Sequence, residues 1–127
     1  MKKLNKKFEN FIFNKIKGLK NPKILEFGVQ RGYSTKRFLD LINNRGGRLY
    51  SVDIDDCSNI SKNSKWKFIR SRDDNFEFIK KNIPKKLDVI FLDSLHEAEH
   101  VQKMVYYYYK FLNKNGLFFI DDICWLP

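Results

Sequence analysis

Five short apolar runs, each followed by a stretch with helical patterning, constrain this chain more than anything else in it. The runs are KILEF (23–27), RLYSVDI (48–54), WKFIR (66–70), LDVIFLD (87–93) and LFFID (117–121). Each is too short for a buried helix, and most are apolar on successive positions rather than on alternate ones, so both faces are covered. Between them, Tyr33 to Asn43, Asn75 to Asn82 and Glu97 to Leu112 carry helical spacing. Asn44-Arg-Gly-Gly and Asn115-Gly116 supply stops, and Pro84 ends the middle helix. Between Asp55 and Lys65 the chain is polar, with room for a short helical turn. Strands alternating with helices predict an α/β fold, a doubly wound, mostly parallel sheet of about five strands with helices on both faces.

A length of 127 residues with 43% hydrophobic residues, 12 of them Phe, suits one domain with one core, spanning 1–127. No stretch reaches the roughly 18 apolar residues of a membrane span. Residues 1–20 are basic, as a signal peptide would be, but lack a continuous apolar core and a small-residue cleavage site. Leu4, Phe8, Phe11, Ile12, Ile16 and Leu19 fall at helical spacing instead, which predicts an amphipathic first helix. Cys57 and Cys124 are too few and too scattered for a disulfide framework or a zinc site, and the cytoplasm is the simplest compartment. The formal charge of +10 fits either a lysine-rich surface kept for solubility or an affinity for nucleic acid.

Ligands of a doubly wound sheet sit at the carboxyl ends of its strands. In this sequence those ends are acidic: Glu26, Asp53 with Asp55, Asp73 and Asp74, Asp93, and Asp121 with Asp122. One such carboxylate is an ordinary cap or loop residue, but five strand ends in succession point to a common site. The first of them opens ILEFGVQRGYS, with Gly28 and Gly32 four residues apart. This is neither the Gly-x-Gly-x-x-Gly of a dinucleotide fold nor a P-loop. Gly28 permits a sharp turn after the strand, and Gly32 permits close approach of the next helix. Amides at that helix N-terminus can bind a carboxylate or phosphate. Asp53 ends the following strand, where an acid would accept ribose hydroxyls.

Together, ILEFGVQRGYS, LYSVDID, LDVIFLDSLHEAEHV and LNKNGLFFIDDI resemble a class I S-adenosylmethionine-dependent methyltransferase, from about Lys23 to Ile123. The resemblance implies a C-terminally short version of a seven-stranded fold. It further implies S-adenosyl-L-methionine as cofactor, with Glu26, Gly28, Gly32, Ser34, Asp53, Asp73 and Asp93 around it. The small catechol-type O-methyltransferases are a finer likeness. They imply Asp93, Asp121 and Asp122 as ligands of Mg2+ or another divalent cation. DSLHEAEH also resembles the Asp-Gly-x-His stretch of small sugar- and natural-product-tailoring methyltransferases, which implies His96 as a general base and, with Asp93, a catalytic group acting on a small-molecule hydroxyl or amine acceptor. His100, one turn beyond His96, reads as a surface residue. After the fifth run the chain is too short for the family's last two strands. A truncated product, a sheet completed by dimerising and a minimal cofactor-binding domain without turnover all stay open. A homodimer would use either the open sheet edge or the helix carrying Tyr106 to Tyr109, which alternatively is a helix packed on the sheet with spare aromatics outside.

Overall fold

The computed structural model describes residues 6–124, with the side chains of residues 6, 8, 94–96 and 122–124 outside the described set. In chain order the elements are α1 (Lys6–Ile16), β1 (Lys23–Phe27), α2 (Tyr33–Arg45), β2 (Arg48–Asp53), β3 (Trp66–Arg70), α3 (Phe76–Asn82), β4 (Leu87–Glu97), α4 (Ala98–Tyr108) and β5 (Leu112–Cys124). Short 3-10 turns lie at Ser58–Ile60 and Tyr109–Phe111. All strand pairs are parallel and the order is β3-β2-β1-β4-β5. Sequence order reverses between β1 and β4, which makes that junction the switch point of a doubly wound sheet.

Alternation of side chains along the strands separates two apolar layers. On one face Ile24, Leu49, Val89 and Phe91 pack with Ile12, Ile16, Phe38 and Ile42 of α1 and α2. On the other, Leu25, Phe27, Val52, Ile90 and Leu92 pack with Ile79, Met104 and Tyr108 of α3 and α4. The four consecutive tyrosines, three ending α4 and Tyr109 opening the 3-10 turn, divide accordingly. Tyr108 is buried, Tyr107 stacks on Phe76 with ring centroids 4.0 Å apart, and Tyr106 and Tyr109 face outwards.

Several boundaries differ from the sequence expectation, among them the end of β4, which runs on to Glu97 rather than stopping at 93. The first helix ends at Ile16 rather than near residue 20, because Gly18, the left-handed Asn21 and Pro22 follow it; residues 1–5 lie outside the described set. The last helix gives way to a 3-10 turn at Tyr109. Asn115-Gly116 does not separate a helix from a strand. β5 already begins at Leu112, and its register against β4 shifts between Leu87↔Leu112 and Val89↔Leu117. Asn115, at φ 67°, is accommodated within that bulge.

Candidate functional site

Glu26 is one residue short of the end of β1, on the face that carries Ile24, so its side chain enters the layer beneath α2 and is fully buried. There its carboxylate accepts hydrogen bonds from Ser34 Oγ (2.5 Å), Thr35 Oγ1 (2.6 Å) and Ser51 Oγ (2.7 Å). The indole of Trp66 on the edge strand β3 donates in turn to Ser51 Oγ at 2.9 Å. Burial raises the Glu26 pKa, and the three hydroxyls lower it in opposition. Glu26 and Ser34 thus brace the N-terminus of α2 against β1 and β2. Their polar atoms bond to one another, and neither residue is among those lining the cavity described below.

The loop over this brace has a fixed shape. Gly28, Gln30 and Gly32 all have positive φ, at 95°, 50° and 84°. Gly28 N–H continues the ladder to Val52 O at 2.9 Å, and Gly32 N–H closes a turn on Val29 O at 2.8 Å. A Cβ on Gly32 would stand 2.6 Å from Ile60 Cγ2. The close approach at Gly32 is therefore to the β2–β3 connection.

Asp53 holds the same loop from the end of β2. Its Oδ2 accepts the N–H groups of Val29 (2.9 Å) and Gln30 (3.0 Å), and its Oδ1 accepts that of Asp55 (3.0 Å). Cys57 lies just behind, 3.7 Å from the Gln30 carbonyl, to which its thiol donates. Burial first, then the charges of Asp53 and Asp55, push this thiol up to about 11, so it is protonated and unreactive at neutral pH.

These loops surround a cavity of about 320 Å³, at the low end of the roughly 300–1,000 Å³ of small-molecule sites. Phe27 and Val52 form its apolar floor, and Gly28, Gln30 and Asp53 one side. Ile54, 60% exposed, stands over it, and Ser71, Arg72 and Asp73 after β3 close the far side. Of the residues expected around a cofactor, the structure brings Gly28, Asp53 and Asp73 together on the wall. Glu26, Gly32 and Ser34 lie in the frame behind it. Asp93 stands across the switch point, at the β4–β5 pair. Ile54 and Gln30 were not picked out from the sequence. The available signal for Ile54 was an apolar residue set between Asp53 and Asp55. Carboxylates at Asp53, Asp55 and Asp73 give the cavity an acidic lining that suits a cationic ligand.

Asp93 is 3% exposed and is the register partner of Asp121 on β5. Partners in adjacent parallel strands share a face about 4.8 Å apart, so both side chains stand on one side of the sheet. The side chains of His96 and Asp122, expected as base and third ligand, lie outside the described residues. Among the described residues, a separate group of three side chains with metal-ligand spacing is Asp73, Asp74 and His100. It does not fit a cation. Arg72 forks across Asp74 at 3.0 and 3.1 Å and Lys103 lies 3.9 Å from it, so protein cations already neutralise that carboxylate and hold its pKa below the usual range.

A family model described as "Methyltransferase domain" matches residues 25–123. No curated protein matches the sequence. A Staphylococcus aureus protein crystallised as a candidate caffeoyl-CoA O-methyltransferase is similar in structure, with TM-score 0.73, 19% identity, and coverage of 94% of this chain and 59% of that one. An O-methyltransferase from Bacillus cereus, solved in complex with SAH, gives TM-score 0.67 at 17% identity and coverage of 87% and 54%. A chain of a fibrillarin/Nop5p complex gives 0.65 at 13%, with coverage of 84% and 56%. The chain thus spans between 54% and 59% of the length of these three structures. At such identities the likeness is one of fold.

Proposed function

Because the chain belongs to the methyltransferase-domain family, we propose that it binds S-adenosylmethionine in the cavity over β1–β3 and directs its methyl group to a small hydroxylated or amine acceptor near the ends of β4 and β5. The observation that carries this reading is Asp53, which stands in the cavity wall while its carboxylate shapes the glycine loop. The SAH complex of the Bacillus cereus relative supports the choice of cofactor.

Bound there, the cofactor supplies a methyl group activated by its own sulfonium leaving group, so the protein's work is to position the partners and remove a proton. Asp53 would accept the ribose. Three backbone N–H groups already use most of the roughly four acceptor sites of a carboxylate, so Asp53 would have room to accept about one hydroxyl beside them. Ile54 would cover the purine, and the acidic lining would favour the sulfonium over the neutral product. Asp93 and Asp121 would hold a divalent cation of the magnesium kind, with Asp122 beside them, since an all-oxygen set suits such ions. Two adjacent carboxylates, one of them buried, are relieved of mutual repulsion by a cation. A metal there would lower the pKa of an acceptor hydroxyl, and His96 is the proposed base.

The test is turnover: methyl-labelled S-adenosylmethionine with a panel of catechols and phenols, in magnesium or in EDTA. Label transfer that Asp93→Asn abolishes supports the enzyme reading. Tight cofactor binding with no transfer to any acceptor favours a binding domain without turnover.

A second reading, RNA bound by the lysine-rich outer surface beside the cavity, is favoured by the charge of +10. It predicts RNA affinity that falls steeply with salt; affinity indifferent to salt removes it.

A further inference from the structure

The loop after β3 contributes Ser71, Arg72 and Asp73 to the cavity, and it has little packing of its own, since Arg72 is exposed and Ser71 and Asp73 are only half-buried. It is held from outside by α4. The His100 ring Nε2 lies 3.1 Å from both carboxylate oxygens of Asp73. The Tyr108 hydroxyl donates to the Asp73 carbonyl at 2.9 Å. His100, Met104 and Tyr108 recur at one-turn spacing, so a single face of α4 carries both contacts while Met104 and Tyr108 anchor that face in the core. Neither His100 nor Tyr108 lines the cavity itself.

We propose that His100 and Tyr108 are positioning residues. By holding the side chain and the carbonyl of Asp73, they fix the cavity wall that receives the adenosine half of the cofactor. A loop held in its binding geometry before the ligand arrives spends less free energy on ordering, and the saving appears as affinity. His100 is therefore no ordinary surface residue, as its place one turn beyond His96 suggests from sequence. The inference rests on the cofactor reading above.

The experiment is calorimetric titration of S-adenosylhomocysteine into the wild-type chain, Asp53→Ala, His100→Ala, His100→Gln, Asp73→Asn, the His100→Ala/Asp73→Asn double variant and Tyr108→Phe, with thermal melting alongside. His100→Ala is expected to weaken binding about fivefold to tenfold, the size of one hydrogen bond to a charged partner. His100→Gln, which keeps an N–H donor, recovers part of the loss. In the Asp73→Asn background the His100→Ala effect shrinks below about twofold, because its partner is already altered. A merely structural role would lower the melting temperature and leave the affinity of the folded protein unchanged. If wild type binds, Asp53→Ala does not, and His100→Ala binds like wild type, the positioning role is overturned while the cofactor reading stands. Additive losses in the double variant overturn it too, since His100 would then not act through Asp73. If wild type does not bind, both readings fall.

Discussion

Glu26 on β1 and Ser51 on β2 are register partners joined by a buried 2.7 Å hydrogen bond, and this contact ties the strands to the N-terminus of α2 through Ser34 and Thr35. Every group in the network has a partner, so the acid is tolerated at full burial, but its ionised form still carries a desolvation cost.

That cost makes a pH prediction. Burial raises the pKa of Glu26 from the ordinary 4.5, so over a range above that value the folded state holds a proton that the unfolded state has released. Its contribution to stability is complete below the unfolded value and declines as pH rises through the raised folded value. Glu26→Gln removes this titration. The melting temperature of Glu26→Gln minus that of wild type is expected to grow as pH rises above the ordinary value of 4.5 and to level off once the buried carboxyl has ionised. A difference independent of pH would show that Glu26 is not buried in this way.

The glycine loop gives a steric prediction. Gly32→Ala places a Cβ at φ 84° and 2.6 Å from Ile60 Cγ2, which is expected to cost about 1–3 kcal/mol. Gly18, where a Cβ meets nothing within 4 Å, is the control, and Gly18→Ala should stay within about 0.5 kcal/mol of wild type. Urea unfolding of the two variants measures both.

Where the sequence was legible, backbone chemistry decided. β1 and β3 fall on KILEF and WKFIR because charged or glycine-bearing turns bound short apolar runs. The place of Asp53 was legible because it falls at the end of an apolar run, which puts it at the carboxyl end of β2. Glu26 lies in the run that forms β1, but its burial was not legible: it shares the face of Ile24, and only the packing of α2 onto that face encloses it. His100 was illegible for another reason. Its partner Asp73 is 27 residues away, and only the packing of α4 across the sheet brings them together. The bulge in β5 was hidden because Asn-Gly signals a stop in most contexts and a bulge only when the partner strand continues alongside.

Cys57 supplies a reactivity prediction. It is 6% exposed, with its thiol pushed up to about 11. In a Cys124→Ser background, labelling by a disulfide reagent at about pH 8 is expected to be at least about a hundredfold slower for the native chain than for the urea-unfolded one. Rapid labelling of the native chain would contradict the buried placement beside Gln30.

The Asp93–Asp121 pair supplies a metal prediction. Manganese binding followed by electron paramagnetic resonance is expected to show one site, weakened more than about tenfold by Asp121→Asn, since loss of one of few carboxylate ligands removes a large part of the attraction. An unchanged manganese titration in that variant would place any metal elsewhere.

The central claim is that the cavity over β1–β3 is a cofactor site organised by Asp53. Its most direct test is titration of S-adenosylhomocysteine into the folded wild-type chain and into Asp53→Ala. Micromolar binding by wild type and a loss of at least about a hundredfold in Asp53→Ala are predicted, because the variant loses both the ribose acceptor and the clamp on the Val29 and Gln30 amides. Equal binding by the two proteins, or none by a folded wild-type chain, would contradict the account.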